Sequence, residues 1–170
     1  MWAWTETEGP TYSVMDKRYI KFFDGYREAY GLADFEHEEA KVDPESGKKK
    51  PVYRWNYEPL TEEIYQSHLE GKISIGIQPC NQDSEARLGV IDVDPKDYDN
   101  FNKKFFIDVI QDYDLPLIPI ESKSGGLHLC LFMDHFTDAK AIKSFLTNLL
   151  PLFKLKPSNE IFPKQTELTR

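Results

Sequence analysis

Asp92 and Asp94 stand one residue apart in Gly89-Val-Ile-Asp-Val-Asp-Pro95, a run that is otherwise apolar. Alternate residues of a β-strand share a face, so these carboxylates point one way while Ile91 and Val93 point the other. Adjacent like charges repel and resist desolvation, and a cation between them relieves both costs. A divalent metal, which prefers hard oxygen ligands, suits the pair. An Asp-x-Asp is ordinarily a surface turn, but Val90, Ile91 and Val93 make this one part of a half-buried strand.

Two further segments carry polar chemistry. Glu121-Ser-Lys-Ser-Gly-Gly-Leu-His-Leu-Cys-Leu131 sets a Ser-Gly-Gly turn between two strand-like runs. Gly125 and Gly126 let a phosphate approach backbone amides, Lys123 adds a mobile positive charge, and His128 can donate to a phosphate oxygen. A plain hairpin turn and a satisfied core histidine are the commoner uses of such residues. Asn159-Glu-Ile-Phe-Pro-Lys-Gln165 offers the carboxylate of Glu160, then Lys164 and Gln165, both able to reach phosphates or a base. Taken alone it reads equally as a strand ended by Pro163.

The elements that must position these residues follow from periodicity. From Arg87 onward the pattern predicts strand 87–94, helix 99–112, strands 117–122 and 126–133, helix 138–150 and a short strand 159–162. That is the β-α-β-β-α-β order of an RRM-like or ferredoxin-like α+β fold, with the first and third strands central, the fourth beside the first, and both helices on one face. Ile91, Val93, Leu127, Leu129, Leu131 and Ile161 then pack under the helices. Asp92, Asp94, Gly126, His128, Cys130 and Glu160 share the open face.

Upstream, residues 1–15 read as a flexible lead-in, and 16–30 as an amphipathic helix with Asp16 at its N-cap. The charged stretch 36–50 reads as an exposed loop, Thr61 as the N-cap of a helix that stops at Gly71, and 72–79 as a strand.

Composition narrows the class. The chain of 170 residues is 40% hydrophobic, enough for one domain with a proper core. No apolar run approaches the roughly 20 residues of a membrane helix, and the start lacks a signal-peptide layout, so a cytoplasmic protein without membrane contact is expected. Cys80 and Cys130 lack metal-ligand spacing and read as buried thiols. A formal charge of -8 confines any nucleic-acid contact to a local surface.

Asp92-Val-Asp94, Ser124-Gly-Gly-Leu-His128 and Glu160-Ile-Phe-Pro-Lys-Gln165, in that order, resemble the three motifs of the archaeo-eukaryotic primase superfamily. Phe23-Asp-Gly-Tyr-Arg27, Tyr57-Glu-Pro-Leu-Thr61 and His68-Leu-Glu-Gly-Lys-Ile-Ser-Ile-Gly76 bring the likeness closer to the primase-polymerase domains of TOTE conflict systems and their phage or mobile-element relatives. The resemblance runs from about residue 20 to the end. It implies the archaeo-eukaryotic primase fold: a catalytic domain over 16–170, with an N-terminal α/β module over 16–86 and the RRM-like core over 87–170.

The activity it implies is template-directed nucleotidyl transfer by a DNA primase or polymerase, in replication of a phage or mobile element. Asp92, Asp94 and Glu160 would hold one or two Mg²⁺ or Mn²⁺ ions, and Lys123, Ser124, Gly125, Gly126, His128 and Lys164 the incoming nucleoside triphosphate. Single-stranded DNA template, a primer, and a helicase domain or protein are the implied partners, and Arg27 and Lys50 are candidate contacts to substrate or template. The superfamily's short motif has Ser where this chain has Gly126, so any hydroxyl contact there falls to Ser124. Relatives continue past the third motif, so the chain is expected to be C-terminally truncated.

Two other classes fit parts of the pattern. An RRM-like nucleic-acid-binding or interaction domain shares the element order, but it would carry Asp92, Asp94 and Glu160 on its binding face, where they repel phosphates. A rolling-circle initiator nuclease builds a metal site on such a sheet with a His-hydrophobe-His pair and a tyrosine nucleophile. Here the strand reads His128-Leu-Cys130.

Overall fold

The computed structural model describes residues 12–42, 44, 47, 49–122 and 125–168, with side chains from Lys17 onward. The chain divides into two units, one of residues up to Phe23 with Arg27–Gly76 and the other of Asp24–Tyr26 with Ile77–Arg170.

The first unit contains helix α1 (Tyr12–Phe22), strand β1 (Tyr26–Asp34), the short strands β2 (Lys41–Val42) and β3 (Lys49–Lys50), strand β4 (Val52–Asn56) and helix α2 (Glu62–Leu69). Strand β5 (Ile75–Gln78) completes a three-stranded sheet of order β4-β1-β5. Tyr65 of α2 is wholly buried and donates its hydroxyl to the Phe23 carbonyl at 2.7 Å. Tyr19 of α1 stacks on Phe23 and meets Tyr65 edge-on. As expected, α2 has Thr61 at its N-cap, and it ends just before Gly71.

The helix expected over 16–30 is corrected. It runs from Tyr12 to Phe22, with Asp16 inside it, and Tyr26–Asp34 is a strand. Asp24-Gly25 breaks the helix: the Gly25 amide donates to the Asp24 carboxylate at 2.9 Å. Beyond it, pairing in the sheet, with β4 over Tyr30–Asp34, decides the conformation, and the buried Ala29 and Tyr30 meet the three-residue spacing only by coincidence. Of the lead-in expected over 1–15, residues 12–15 open α1 and 1–11 lie outside the described residues. The described residues of the stretch 36–50 are largely exposed, but Lys41 pairs with Lys50 in a small antiparallel ladder.

The second unit contains strand β6 (Glu85–Val93), a 3-10 turn (Pro95–Asp97), helix α3 (Lys103–Asp112), strands β7 (Ile118–Glu121) and β8 (Leu127–Asp138), helix α4 (Ala139–Leu149) and strand β9 (Ile161–Phe162). They form an antiparallel sheet of order β7-β8-β6-β9, so β6 and β8 lie at its centre. The whole is α+β. Ile91, Val93, Leu127, Leu129 and Leu131 pack against Phe106, Val109 and Ile110 of α3 and Ile142 and Leu146 of α4. Burying side chains of this kind stabilises by about 1.5–3 kcal/mol each.

Several boundaries differ from expectation, among them β6, which spans Glu85–Val93 rather than 87–94, and β5, which spans Ile75–Gln78 rather than 72–79. Helix α3 starts at Lys103 rather than 99, because Asp94 caps the 3-10 turn and Asn102 caps the helix, accepting from the Lys104 amide at 3.0 Å. Strand β8 runs on to Asp138. Strand β9 is two residues long, and Glu160 stands just before it. Among the described residues, no helix is long and apolar enough to cross a membrane.

Candidate active site

Asp92 sits near the end of β6 because Ile91 and Val93, on either side, are fully buried under the helices. Alternation therefore turns Asp92 to the opposite face. Its direct partner on β8 is His128, with Nε2 3.5 Å from the Asp92 carboxylate. Asp94, one residue past the strand, accepts from the Lys96 amide at 3.2 Å, so its side chain is fixed by the turn that it caps.

The third carboxylate arrives through β9. The Asp92 amide donates to the Glu160 carbonyl at 3.0 Å, and Asn159 Nδ2 donates to the Asp92 carbonyl at 2.8 Å. The Tyr98 hydroxyl in turn donates to Asn159 Oδ1 at 2.8 Å. Asp92, Asp94, Glu160, Asn159, Tyr98, Lys96, Lys156 and their neighbours enclose one pocket of about 350 Å³.

Asp92, Asp94 and Glu160 each face a cationic or ionisable nitrogen. Lys96 Nζ is 2.6 Å from Asp94, Lys164 Nζ pairs with Glu160, and His128 faces Asp92. Lys96 holds the Asp94 carboxyl below its ordinary range by hydrogen bonds from its ammonium and its amide. Burial pushes Asp92 above its range; His128 opposes this, and Glu160 and Asp94 add to it. Asp92 thus senses the other two acids, and carboxylate oxygens are the donors a hard divalent cation prefers. Among the described residues, no group of three or more His, Cys, Asp or Glu side chains is placed to hold a metal ion. The donor chemistry of Asp92, Asp94 and Glu160 fits a metal, and two of these acids are paired with Lys96 and Lys164.

The structure therefore brings Asp92, Asp94, His128, Glu160 and Lys164 together. Lys123 and Ser124 lie outside the described residues. Gly125 has φ +84° and donates its amide to the Ser122 carbonyl at 2.9 Å, so that amide closes the turn instead of facing a phosphate. Gly126 lies against β6: a Cβ there would stand 2.2 Å from the Val93 carbonyl oxygen, which leaves no room for the serine of related motifs.

Cys130 corrects the expected open face. It alternates with His128 yet is 3% exposed, lying between Val90 and Ile118 in the sheet, and burial pushes its thiol up to about 11. Both cysteines are free and buried, as their surroundings in the sequence indicated. Arg27 and Lys50 belong to the first unit, where Arg27 lies over the Tyr65 ring.

Sequence reasoning missed Lys96, Tyr98, Lys156 and Asn159. Lys156 Nζ lies 5.8 Å from the Tyr98 ring centroid and donates to the Asp97 carbonyl at 3.2 Å. The available signal was proximity: Lys96 and Tyr98 follow Asp94 by two and four residues, and Asn159 adjoins Glu160.

No curated protein matches the chain. Residues 17–170 match a protein family described as the archaeo-eukaryotic primase domain of TOTE conflict systems. Because that match takes in nearly the whole sequence and contains every residue of the pocket, the chain belongs to the archaeo-eukaryotic primase domain family of TOTE conflict systems.

Proposed function

We propose that this chain is the catalytic domain of a metal-dependent, template-directed nucleotidyltransferase, a DNA primase-polymerase acting in replication of a phage or mobile element. Its family points to a primase or nucleotidyltransferase type of function. The observation that carries the finer reading is the convergence of Asp92, Asp94 and Glu160 on one pocket ringed by lysines. The β7-β8-β6-β9 sheet, helices on one face and carboxylates on the other, serves as an RRM-like platform for that pocket.

Asp92, Asp94 and Glu160 would hold Mg²⁺ or Mn²⁺, which when bound supplies charge neutralisation on the phosphates and a lowered pKa for the attacking hydroxyl. The chain's own residues do the rest. His128 donates to a phosphate oxygen, while Lys96 and Lys164, released from their carboxylates, turn their charge to the triphosphate. Lys123 and Ser124 would contact the triphosphate, as the resemblance implies. Asn159 keeps Asp92 and Glu160 in register, and Tyr98 walls the pocket.

Titration calorimetry of nucleoside and deoxynucleoside triphosphates, with Mn²⁺ and with chelator, tests this reading. The parent binds only with metal, and Asp92→Asn and Asp94→Asn lose that binding. If the variants bind as tightly as the parent, the chain is an RRM-like binding module and the proposal fails. The nuclease alternative lacks its second histidine, since Cys130 at that position is buried.

A further inference from the structure

We propose that the exposed aromatic face of β4 binds single-stranded nucleic acid by stacking bases between its rings. Tyr53 and Trp55 alternate with Val52, Arg54 and Asn56, so both rings stand on one face of the strand. Tyr53 is 80% exposed and Trp55 50%. Tyr57, 82% exposed, follows just past the strand end.

The ground beside the rings is set mostly with small residues, and Leu32 and Ile75 also line it. Trp55 pairs with Gly31 and Tyr53 with Ala33, and across β1 lie Gly76 and Ser74 of the adjoining segment. A Cβ on Gly31 would meet only the Gly76 backbone, at 3.4 Å. The result is a groove of about 300 Å³ with a floor of small residues and a wall of rings, all within the first unit.

Spacing and charge select the occupant. Same-face residues of a strand are roughly 6.6–6.8 Å apart, twice the 3.4 Å stacking rise of bases, so one base fits between successive rings. From Ser46 to Tyr57 the sequence carries Lys48, Lys49, Lys50 and Arg54 and no acid, in a chain of net charge -8. Arg54 borders the groove and pairs with Asp34 at 2.9 Å on the other face of the sheet, and Lys49 pairs with Glu36 at 3.3 Å. Exposed pairs of this kind are weak enough to exchange a carboxylate for a phosphate. Stacking on rings tolerates any base, as a strand read without sequence preference requires.

The proposal rests on the polymerase reading only in taking the bound strand to be the template. The full 170-residue chain, in chelator and without nucleotide, is titrated against a fluorescent oligothymidylate of about ten nucleotides, sized for a single-strand groove. An abasic strand of equal length and a duplex serve as comparisons. The parent binds the oligothymidylate more tightly than either. Trp55→Ala and Tyr53→Ala each weaken binding roughly five- to hundred-fold, and Trp55→Phe stays near the parent. Tyr53→Ala and Trp55→Phe carry the test should Trp55→Ala unfold. Equal binding of the abasic strand, parent-like binding by both alanine variants, or no binding by the parent overturns the proposal. So does a parent self-association that Trp55→Ala abolishes and the oligonucleotide does not compete with. Chelator silences the carboxylate site, so failure here leaves nucleotidyl transfer standing, and loss of transfer in Asp92→Asn leaves the groove standing.

Discussion

Asn159 donates from Nδ2 to the main-chain carbonyl of Asp92 at 2.8 Å, tying the residue before Glu160 to the strand that carries the first carboxylate. Its Oδ1 is held by the Tyr98 hydroxyl, so the tie is braced from the loop after Asp94 as well. Strand β9 pairs with β6 over only Val90 and Ile91, too short a ladder to fix Glu160 unaided. Asn159 is therefore a positioning residue for the whole carboxylate set.

Asn159→Leu leaves the Asp92 carbonyl and the Tyr98 hydroxyl without their partner, a loss of about 1–3 kcal/mol. We expect the melting temperature to fall by roughly 2–8 °C for a chain of this size. Nucleotide turnover should fall about ten-fold or more in kcat, following misplacement of a site by a fraction of an ångström, with little change in KM. Tyr98→Phe should give the milder form of both effects. An Asn159→Leu protein with parental kcat contradicts the role.

Asp92→Asn should stabilise the metal-free protein while abolishing metal-dependent binding. Burial raises the Asp92 pKa in the folded state above its unfolded value. Stability from this group is therefore full below the unfolded value, about 3.9, and is lost as pH rises through the folded value. At pH 7 the parent bears the whole cost, and the variant should melt about 1–3 °C higher. The difference should close as pH falls to about 4. A variant that melts lower at pH 7 contradicts this account of Asp92. Asp94 runs the other way: its carboxyl is held low by Lys96, so its contribution is present above the ordinary carboxylate range and lost in acid.

Lys96→Met frees Asp94 from its ammonium. Exposed ion pairs are worth about 0–1 kcal/mol, so Mn²⁺ should bind up to about five-fold more tightly, read by the paramagnetic signal of the free ion. Triphosphate binding should weaken in the same variant, because the charge that moves to the phosphates is gone. Parallel weakening of both contradicts the exchange of partners.

Gly126→Ser would restore the serine of related motifs and is expected to fail. Its Cβ would stand 2.2 Å from the Val93 carbonyl oxygen, and backbone must shift to admit it. Overpacking of this kind costs about 1–3 kcal/mol, which thermal unfolding should report as a drop of roughly 3–8 °C. A neutral substitution would show that the turn gives way freely.

The second unit was legible because its central strands β6 and β8 bury one face, so period-two alternation told Ile91 and Val93 from Asp92. The first unit was not. Tyr26, Ala29 and Tyr30 satisfy helical spacing, and their strand conformation comes from a sheet in which β1 lies between β4 and β5, partners that local pattern does not reveal. Cys130 shows the limit of alternation itself, which gives the face but not what flanks it. Within the pocket, the acids were visible as a motif, whereas Lys96, Tyr98 and Asn159 act through a turn and two side-chain hydrogen bonds that exist only once the chain has folded.

The central claim is that Asp92, Asp94 and Glu160 together support templated nucleotidyl transfer, and chain growth measures it most directly. Protein is incubated with Mg²⁺ or Mn²⁺, single-stranded template with and without primer, and labelled nucleoside or deoxynucleoside triphosphates, with pyrophosphate release followed in parallel. The parent should build product whose composition follows the template, and Asp92→Asn, Asp94→Asn and Glu160→Gln should each reduce the rate at least a hundred-fold, on the order expected when transition-state charge stabilisation is lost. Product formation undiminished in those variants, or none by the parent with either metal, would contradict the account.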